Sequence, residues 1–339
     1  MSSRNRVLDI ARAIAIILVV IGHSGVDKYA RNSIYLFHMP LFFFISGILL
    51  KQRNESLSVI MGGVTSRFKR LYLPFVLNTS LLLILSPLLF RWKLTHIHLI
   101  TLHDWANALF RVFSFRFGTM DLLCQYWFLP VMFFVYVLAV TAKRVITNQA
   151  YLLIFACSLY FVGYTLQDKF GMTTYDFYRV LYYGGYYIIG NLLGHSIINF
   201  AKSKILYCYA ILLSLFMCIS VASIFYADIV FHNAIYYFFI SFAGIIATLY
   251  LSILIERCEK LRYALSFVGK NTMAIFTWHI LVFKITELVV VRFNLMSMSI
   301  GFWGEYHENN WWWLFVISGI SVPLGVSTWK KCISFQQTK

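Results

Sequence analysis

Arg12 and His23 lie eleven residues apart in one apolar run, D-I-A-R-A-I-A-I-I-L-V-V-I-G-H. On a helix that separation is about three turns, so the two share a face roughly 16 Å apart along the axis. Asp9 precedes Arg12 by one turn, within pairing reach. An imidazole titrates near neutral pH, which suits His23 to general-base work. His38 stands in F-H-M-P-L-F-F-F-I-S-G, two residues before Pro40. That proline frees a backbone carbonyl and permits a kink beside the imidazole. Only a short turn separates this segment from His23, so two histidines can converge on one cavity. His279, in T-W-H-I, is balanced between a core role and a site-lining one. Arg67, Lys69 and Arg70 form a basic cluster in S-R-F-K-R. Arg67 and Arg70, three apart, point the same way on a helix and can clamp phosphates, although an anchor at lipid headgroups reads equally plainly.

These side chains need elements to hold them. The chain has 339 residues, of which 60% are hydrophobic and only 12% charged. A soluble domain carries about twice that charge, so soluble, disordered and disulfide-framework classes are excluded. Apolar runs near membrane-spanning length recur throughout, which predicts an all-α, polytopic helical bundle. The expected helices follow the basic leader Met1–Arg6 and then fall near 33–50, 71–90, 126–142, 150–167, 178–199, 205–226, 232–255, 271–291 and 311–329. That makes about ten transmembrane helices. No small-residue cleavage site follows Gly22–His23, so the first is read as a retained helix rather than a signal peptide. Segments placed inside by an amino end in the cytoplasm hold twice as many Lys and Arg as those placed outside, which predicts that both termini are cytoplasmic. No linker or appended soluble domain is visible, so residues 1–339 read as a single integral-membrane domain.

An ionisable group inside the bilayer costs on the order of 3 kcal/mol, which makes each one a functional candidate. Near helix ends the cost falls, and Asp9, Arg12 and His23 could then be interface residues. Lys284 and Glu287, three apart, read as a structural pair. Asn191 and His195 share a face of the sixth helix, and Trp127 opens the fourth, where an aromatic belt is the default reading. The outer segments 91–125 and 292–310 hold aromatic and acidic residues of the kind that bind sugars, including Trp92, His96, His98, His103, Asp104, Trp105, Trp303, Glu305, His307 and Glu308. The net charge of +16 would suggest nucleic acid in a soluble chain, but no soluble basic module exists to bind it. Six scattered cysteines carry no metal-ligand spacing and read as small apolar residues, so no metal site and no disulfide is expected.

Several fragments occur here in one order: Arg12 with His23, F-H-M-P-L-F-F-F-I-S-G-I-L, Arg67-x-x-Arg70, and G-K-N-T-M-A-I-F-T-W-H over 269–279. Together they resemble the integral-membrane acyltransferase family 3, especially stand-alone polysaccharide O-acetyltransferases akin to fucose 4-O-acetylases. The resemblance runs from about residue 4 to 330. It implies a ten-helix acyltransferase that takes acetyl from cytoplasmic acetyl-CoA as co-substrate, with no permanently bound cofactor. The acceptor it implies is a sugar hydroxyl on a polysaccharide or lipid-linked glycan, and the setting is the bacterial inner membrane. Carried across, His23 would be the catalytic histidine and Arg12, beside Asp9, its functional partner. Arg67 and Arg70, with Lys69, would meet the phosphates of CoA. His38 and His279 match positions in two further motifs, and Trp127 and Asn191 are site-lining candidates. Some relatives append a hydrolase-like domain; this sequence ends at Lys339 without one, so direct transfer or hand-over to a separate protein is expected. His23 falls towards the outer face and the arginine pair towards the inner one, so either the arm of CoA spans the bundle or the first helix sits deeper.

The rival reading is a secondary transporter or flippase of a glycan or lipid intermediate, which would need no acyl-CoA site. A non-catalytic sensor or assembly factor would leave His23 and Arg12 replaceable. Membrane lipids are implied partners in every case, and the helix faces permit a homodimer.

Overall fold

The computed structural model describes residues 5–50, 56–92, 94–95, 99–114, 125–170, 177–224, 233–293 and 310–336. Among them there is no strand; the regular elements are helices, as the apolar runs predict. His96, His98, Trp303, Glu305, His307 and Glu308 lie outside the described residues. The chain divides into two compact units, one comprising Met1–Phe42 with Ile197–Lys339 and the other Phe43–Ser196.

The first unit is organised around α1 (Arg6–His23). Against it pack α2 (Lys28–Tyr35), α11 (Ala234–Glu256), α12 (Glu259–Lys270), α13 (Thr272–Arg292) and α14 (Trp312–Gln336). Most of α1 between Val7 and Val20 is buried, with Arg12, Ile14, Ile17 and Leu18 only partly so. Close approach depends on small residues. The Cα of Gly269 meets the backbone carbonyl of Asp9 so tightly that any side chain there would collide with it. Gly319 gives the same kind of room to Phe283 and Val20, and Gly244 to Phe37. At its other end α1 stops at Gly25, whose φ of 86° turns the chain, and Asp27 then caps α2 by accepting from the amides of Tyr29 and Ala30 at 3.0 Å.

The expected helix over 33–50 is two elements, α2 and α3 (His38–Ile48), which part at Leu36–Phe37. Pro40 sits in the first turn of α3, where its missing N–H does least harm. It would otherwise have bonded to the Leu36 carbonyl, and the Ser241 hydroxyl donates to that carbonyl instead, at 2.7 Å. Tyr237 donates similarly to the Tyr35 carbonyl at 3.4 Å. Thus α11 holds the freed backbone of the α2–α3 junction.

In the second unit, α4 (Leu57–Arg67), a π-helical turn (Phe68–Tyr72) and α5 (Leu73–Arg91) run on continuously. The helices expected near 33–50 and 71–90 leave 51–70 between them; residues 57–70 are helical too, and 51–55 lie outside the described residues. Pro74 explains the π turn. It cannot donate to the Arg70 carbonyl, and the wider i→i+5 pattern, with the Leu73 amide on the Phe68 carbonyl, absorbs the interruption. The unit also holds α6 (Leu102–Phe113), α7 (Phe128–Val145), α8 (Gln149–Phe170) and most of α9 (Tyr178–Ser203). Gly47 and Gly190 let α3 and α9 meet backbone to backbone, at Tyr187 and Phe44, and Gly194 leaves room for the Ile48 side chain.

By length and composition six stretches among the described residues can cross a membrane: 57–91, 125–145, 149–167, 234–256, 272–292 and 312–329. Helix α1 is apolar after Arg12 but carries Arg6, Asp9 and Arg12 in its first two turns. Helix α10 (Ile205–Ile224) is apolar along its sequence, Ile211–Ala222 included.

Candidate active site

His23 is the last residue of α1, and the stop that exposes it is local: the Ser24 hydroxyl donates to the Ile21 carbonyl at 2.8 Å. Its ring stacks on that of His279 with centroids 5.4 Å apart and planes 13° from parallel. The two rings are joined by a contact of 3.1 Å between His23 Nδ1 and His279 Nε2. His279 is fully buried. Its Nδ1 lies 3.0 Å from the Ile275 carbonyl and 2.9 Å from that of Phe276.

The carbonyls decide the proton positions. A carbonyl only accepts, so His279 Nδ1 carries the hydrogen and donates a bifurcated bond to both oxygens. In the neutral ring His279 Nε2 is then the acceptor. His23 Nδ1 must be the donor to it, which leaves the lone pair of the neutral His23 ring on Nε2. This is the arrangement a general base or nucleophile requires: one nitrogen anchored, the other basic.

Tyr35 completes the surroundings. Its hydroxyl donates to the Gly22 carbonyl at 3.2 Å, and its ring lies 6.5 Å from His23 and 5.1 Å from His38. The histidine against His23 is therefore His279, while His38 is reached through Tyr35. His38 Nδ1 donates to the Ile34 carbonyl at 2.9 Å, so its neutral ring also keeps its lone pair on Nε2. Sequence reasoning missed Tyr35, although its place three residues before His38 was a signal.

The G-K-N-T-M-A-I-F-T-W-H segment shows how His279 is positioned. Gly269 lets α12 touch α1, and Asn271 makes the corner into α13. Its Nδ2 donates to the Phe267 carbonyl at 2.8 Å, and its Oδ1 accepts from Ser327 at 3.2 Å. Two helical turns later α13 delivers His279 against α1. At the other end of α1, Asp9 and Arg12 pair at 3.6 Å, with Asp9 buried and Arg12 about one-third exposed. Lys284 and Glu287 are each 1% exposed on α13. No group of three metal-capable side chains is found among the described residues.

The remaining sequence candidates belong to the second unit. The Arg67 guanidinium lies over the Tyr136 ring, 3.7 Å from its centroid, and also reaches the buried Tyr187 hydroxyl. Gly63 leaves room for the Tyr136 hydroxyl. Lys69 and Arg70 are exposed in the π turn. The Arg179 guanidinium lies over the Trp127 ring at 4.1 Å, and the Tyr183 ring stacks on Trp127 with centroids 5.6 Å apart. Asn191 donates through Nδ2 to the carbonyls of Gly47, at 3.1 Å, and Leu50, at 2.9 Å. It closes the carboxyl end of α3, while His195, on the same helix, is exposed. Asp104 accepts from the Thr101 amide at 2.8 Å, and its own amide donates to the Thr101 hydroxyl at 3.2 Å, which makes the pair a capping box for α6. The Thr101 backbone bond, then the Thr101 hydroxyl, hold the exposed Asp104 carboxyl below the ordinary carboxylate range.

The acyltransferase-domain model of acyltransferase family 3 matches residues 5–330. The chain belongs to that family. No curated protein and no solved structure gives a significant match. This membrane acyltransferase thus has its family match across both compact units, and the match contains every candidate site residue placed above.

Proposed function

We propose that this acyltransferase moves an acetyl group from cytoplasmic acetyl-CoA to a sugar hydroxyl of a surface or exported polysaccharide, in the inner membrane of a bacterium, with His23 Nε2 as the base. The observation that carries the reading is the His23–His279 contact together with the two carbonyls on His279 Nδ1. His23 Nε2 takes the proton of the acceptor hydroxyl as its oxygen bonds to the thioester carbonyl carbon. The tetrahedral intermediate then collapses, the C–S bond breaks, and the CoA thiolate leaves with the proton returned by the imidazolium. While His23 is cationic, its Nδ1–H remains bonded to His279 Nε2, which stabilises the charge. Direct attack by the same nitrogen on the thioester would give an acyl-histidine, and hydroxylamine trapping separates the two routes.

Arg67, held on Tyr136, and the exposed Lys69 and Arg70 would meet the phosphates of CoA. Ten crossings with both termini cytoplasmic, as the charge distribution predicts, would put these residues on the donor's side. The test is acetyl-CoA binding by the detergent-purified protein beside an Arg67→Ala/Arg70→Ala variant. Binding that the variant loses fits the proposal. A folded wild-type protein that binds neither CoA nor acetyl-CoA contradicts it and favours transport of a glycan intermediate.

A further inference from the structure

At the amino end of α1 the first unit opens a cleft of about 1270 Å³, walled by α1 and α12 and by the carboxyl ends of α9 and α11. Five cations and three carboxylates line it. Each carboxylate is already engaged: Asp9 with Arg12 at 3.6 Å, Glu256 with Lys202 at 3.4 Å, and Glu259 with Arg262 at 3.3 Å. Arg6, Lys260 and Lys270 have no carboxylate partner among the described residues. The cleft therefore presents positive charge that the protein does not itself neutralise. Beneath them Ser266, only 9% exposed, lines the cleft with a buried hydroxyl that has no hydrogen-bond partner among the described residues. A buried donor is normally satisfied, so an unsatisfied one in a cationic cleft points to a ligand that accepts. Tyr263, 80% exposed, stands at the rim as an aromatic face.

We propose that this cleft binds a phosphate ester. Ser266 donates to one phosphoryl oxygen, and Lys260, Lys270 and Arg6 neutralise its charge. A phosphoryl group offers several acceptor oxygens and up to two negative charges, which matches three uncompensated cations and a hydroxyl better than a single carboxylate does. The site shares no residue with the His23–His279 pair or with the Arg67 cluster, so it does not depend on either reading. Two sources supply this chemistry: a nucleotide phosphate from the cytoplasm, or the phosphodiester of an anionic lipid. Exposed Leu261 and Phe267 beside the cleft would suit a lipid surface, and Tyr263 would suit a base.

The experiment uses the full chain in neutral detergent with two probes. Adenosine 3′,5′-bisphosphate is titrated calorimetrically, and phosphatidylglycerol is followed by native mass spectrometry. The variant Lys260→Ala/Lys270→Ala is expected to weaken binding of at least one probe about tenfold or more. Ser266→Ala is expected to weaken the same probe about fivefold while melting no earlier than wild type, since it removes a hydroxyl that has no partner. Arg67→Ala/Arg70→Ala should leave Ser266-dependent binding in place. A response of the nucleotide identifies a nucleotide phosphate as the ligand, and a response of the lipid identifies a headgroup. If wild type binds neither probe, or if Ser266→Ala and the double variant both bind as wild type does, the proposal is overturned. Should the double variant not fold, Ser266→Ala decides the matter alone.

Discussion

His279 and Asn191 are both buried polar side chains in long apolar helices, and both hydrogen-bond to main-chain carbonyls. They differ in what is left over. Asn191 places its amide between the Gly47 and Leu50 carbonyls and so completes the end of α3. His279 satisfies two carbonyls with one nitrogen and turns the other towards His23. Burial of a polar group in an apolar helix therefore marks a site only when bonding capacity remains after the local backbone has been served. The same test separates His23, whose Nε2 stays basic, from Asp104, which takes part in a capping box.

The most severe way to probe this contrast is His23→Ala, which removes the basic nitrogen itself. Acyl transfer should fall by a factor on the order of 10³, measured as acceptor acetylation in membranes with matched protein levels. Wild-type activity in that variant would remove His23 from the chemistry.

The next probe is His279→Ala against His279→Gln. Loss of the acceptor for His23 Nδ1–H should lower kcat on the order of 10²-fold with little change in the KM for the donor, by analogy with other orienting groups of catalytic histidines. A Gln side chain offers an oxygen near the position of Nε2 and should restore part of kcat. Equal loss in both variants would mean that His279 only fills space.

Asn191→Ala sharpens the comparison from the other side. It should lower stability by about 2 kcal/mol, seen as a lower Tm in detergent, because two buried carbonyls lose their donor. Activity per folded molecule should not change. A selective loss of kcat would return Asn191 to the site.

The smallest effect belongs to Asp104→Ala, which removes the carboxylate half of the α6 capping box and should leave acyl transfer intact while increasing hydrogen exchange in the first turn of α6. The pH dependence has a fixed sign. The folded-state value lies below the ordinary 3.8, so the cap's contribution is present above that pH and is lost as pH falls through the lowered value. Higher protection factors in α6 under acid, after correction for the intrinsic exchange rate at each pH, would contradict this.

Much of the fold and part of the site were legible in the sequence, for identifiable reasons. Composition and apolar run length indicated membrane helices, and the spacing of Asp9, Arg12 and His23 gave a shared face because α-helical geometry is local. Breaks and joins were harder. The α2–α3 junction lies in uninterrupted apolar sequence, and only Ser241, some two hundred residues away, stabilises the carbonyl that Pro40 frees. The run from α4 to α5 was hidden because a basic cluster looks like a loop, whereas Pro74 is absorbed by a π turn. His38 was the expected partner of His23 because it is near in sequence. The observed partner is 256 residues away, and only the packing of α12 and α13 on α1 brings it in.

The most direct measurement is the ¹⁵N spectrum of the protein labelled at histidine, with His23→Ala and His279→Ala spectra for assignment. The expected result is a neutral His23 ring protonated on Nδ1 with a bare Nε2, and a His279 ring also protonated on Nδ1. A neutral His23 ring carrying its proton on Nε2 instead would contradict it, because the nitrogen assigned to the chemistry would then be a donor.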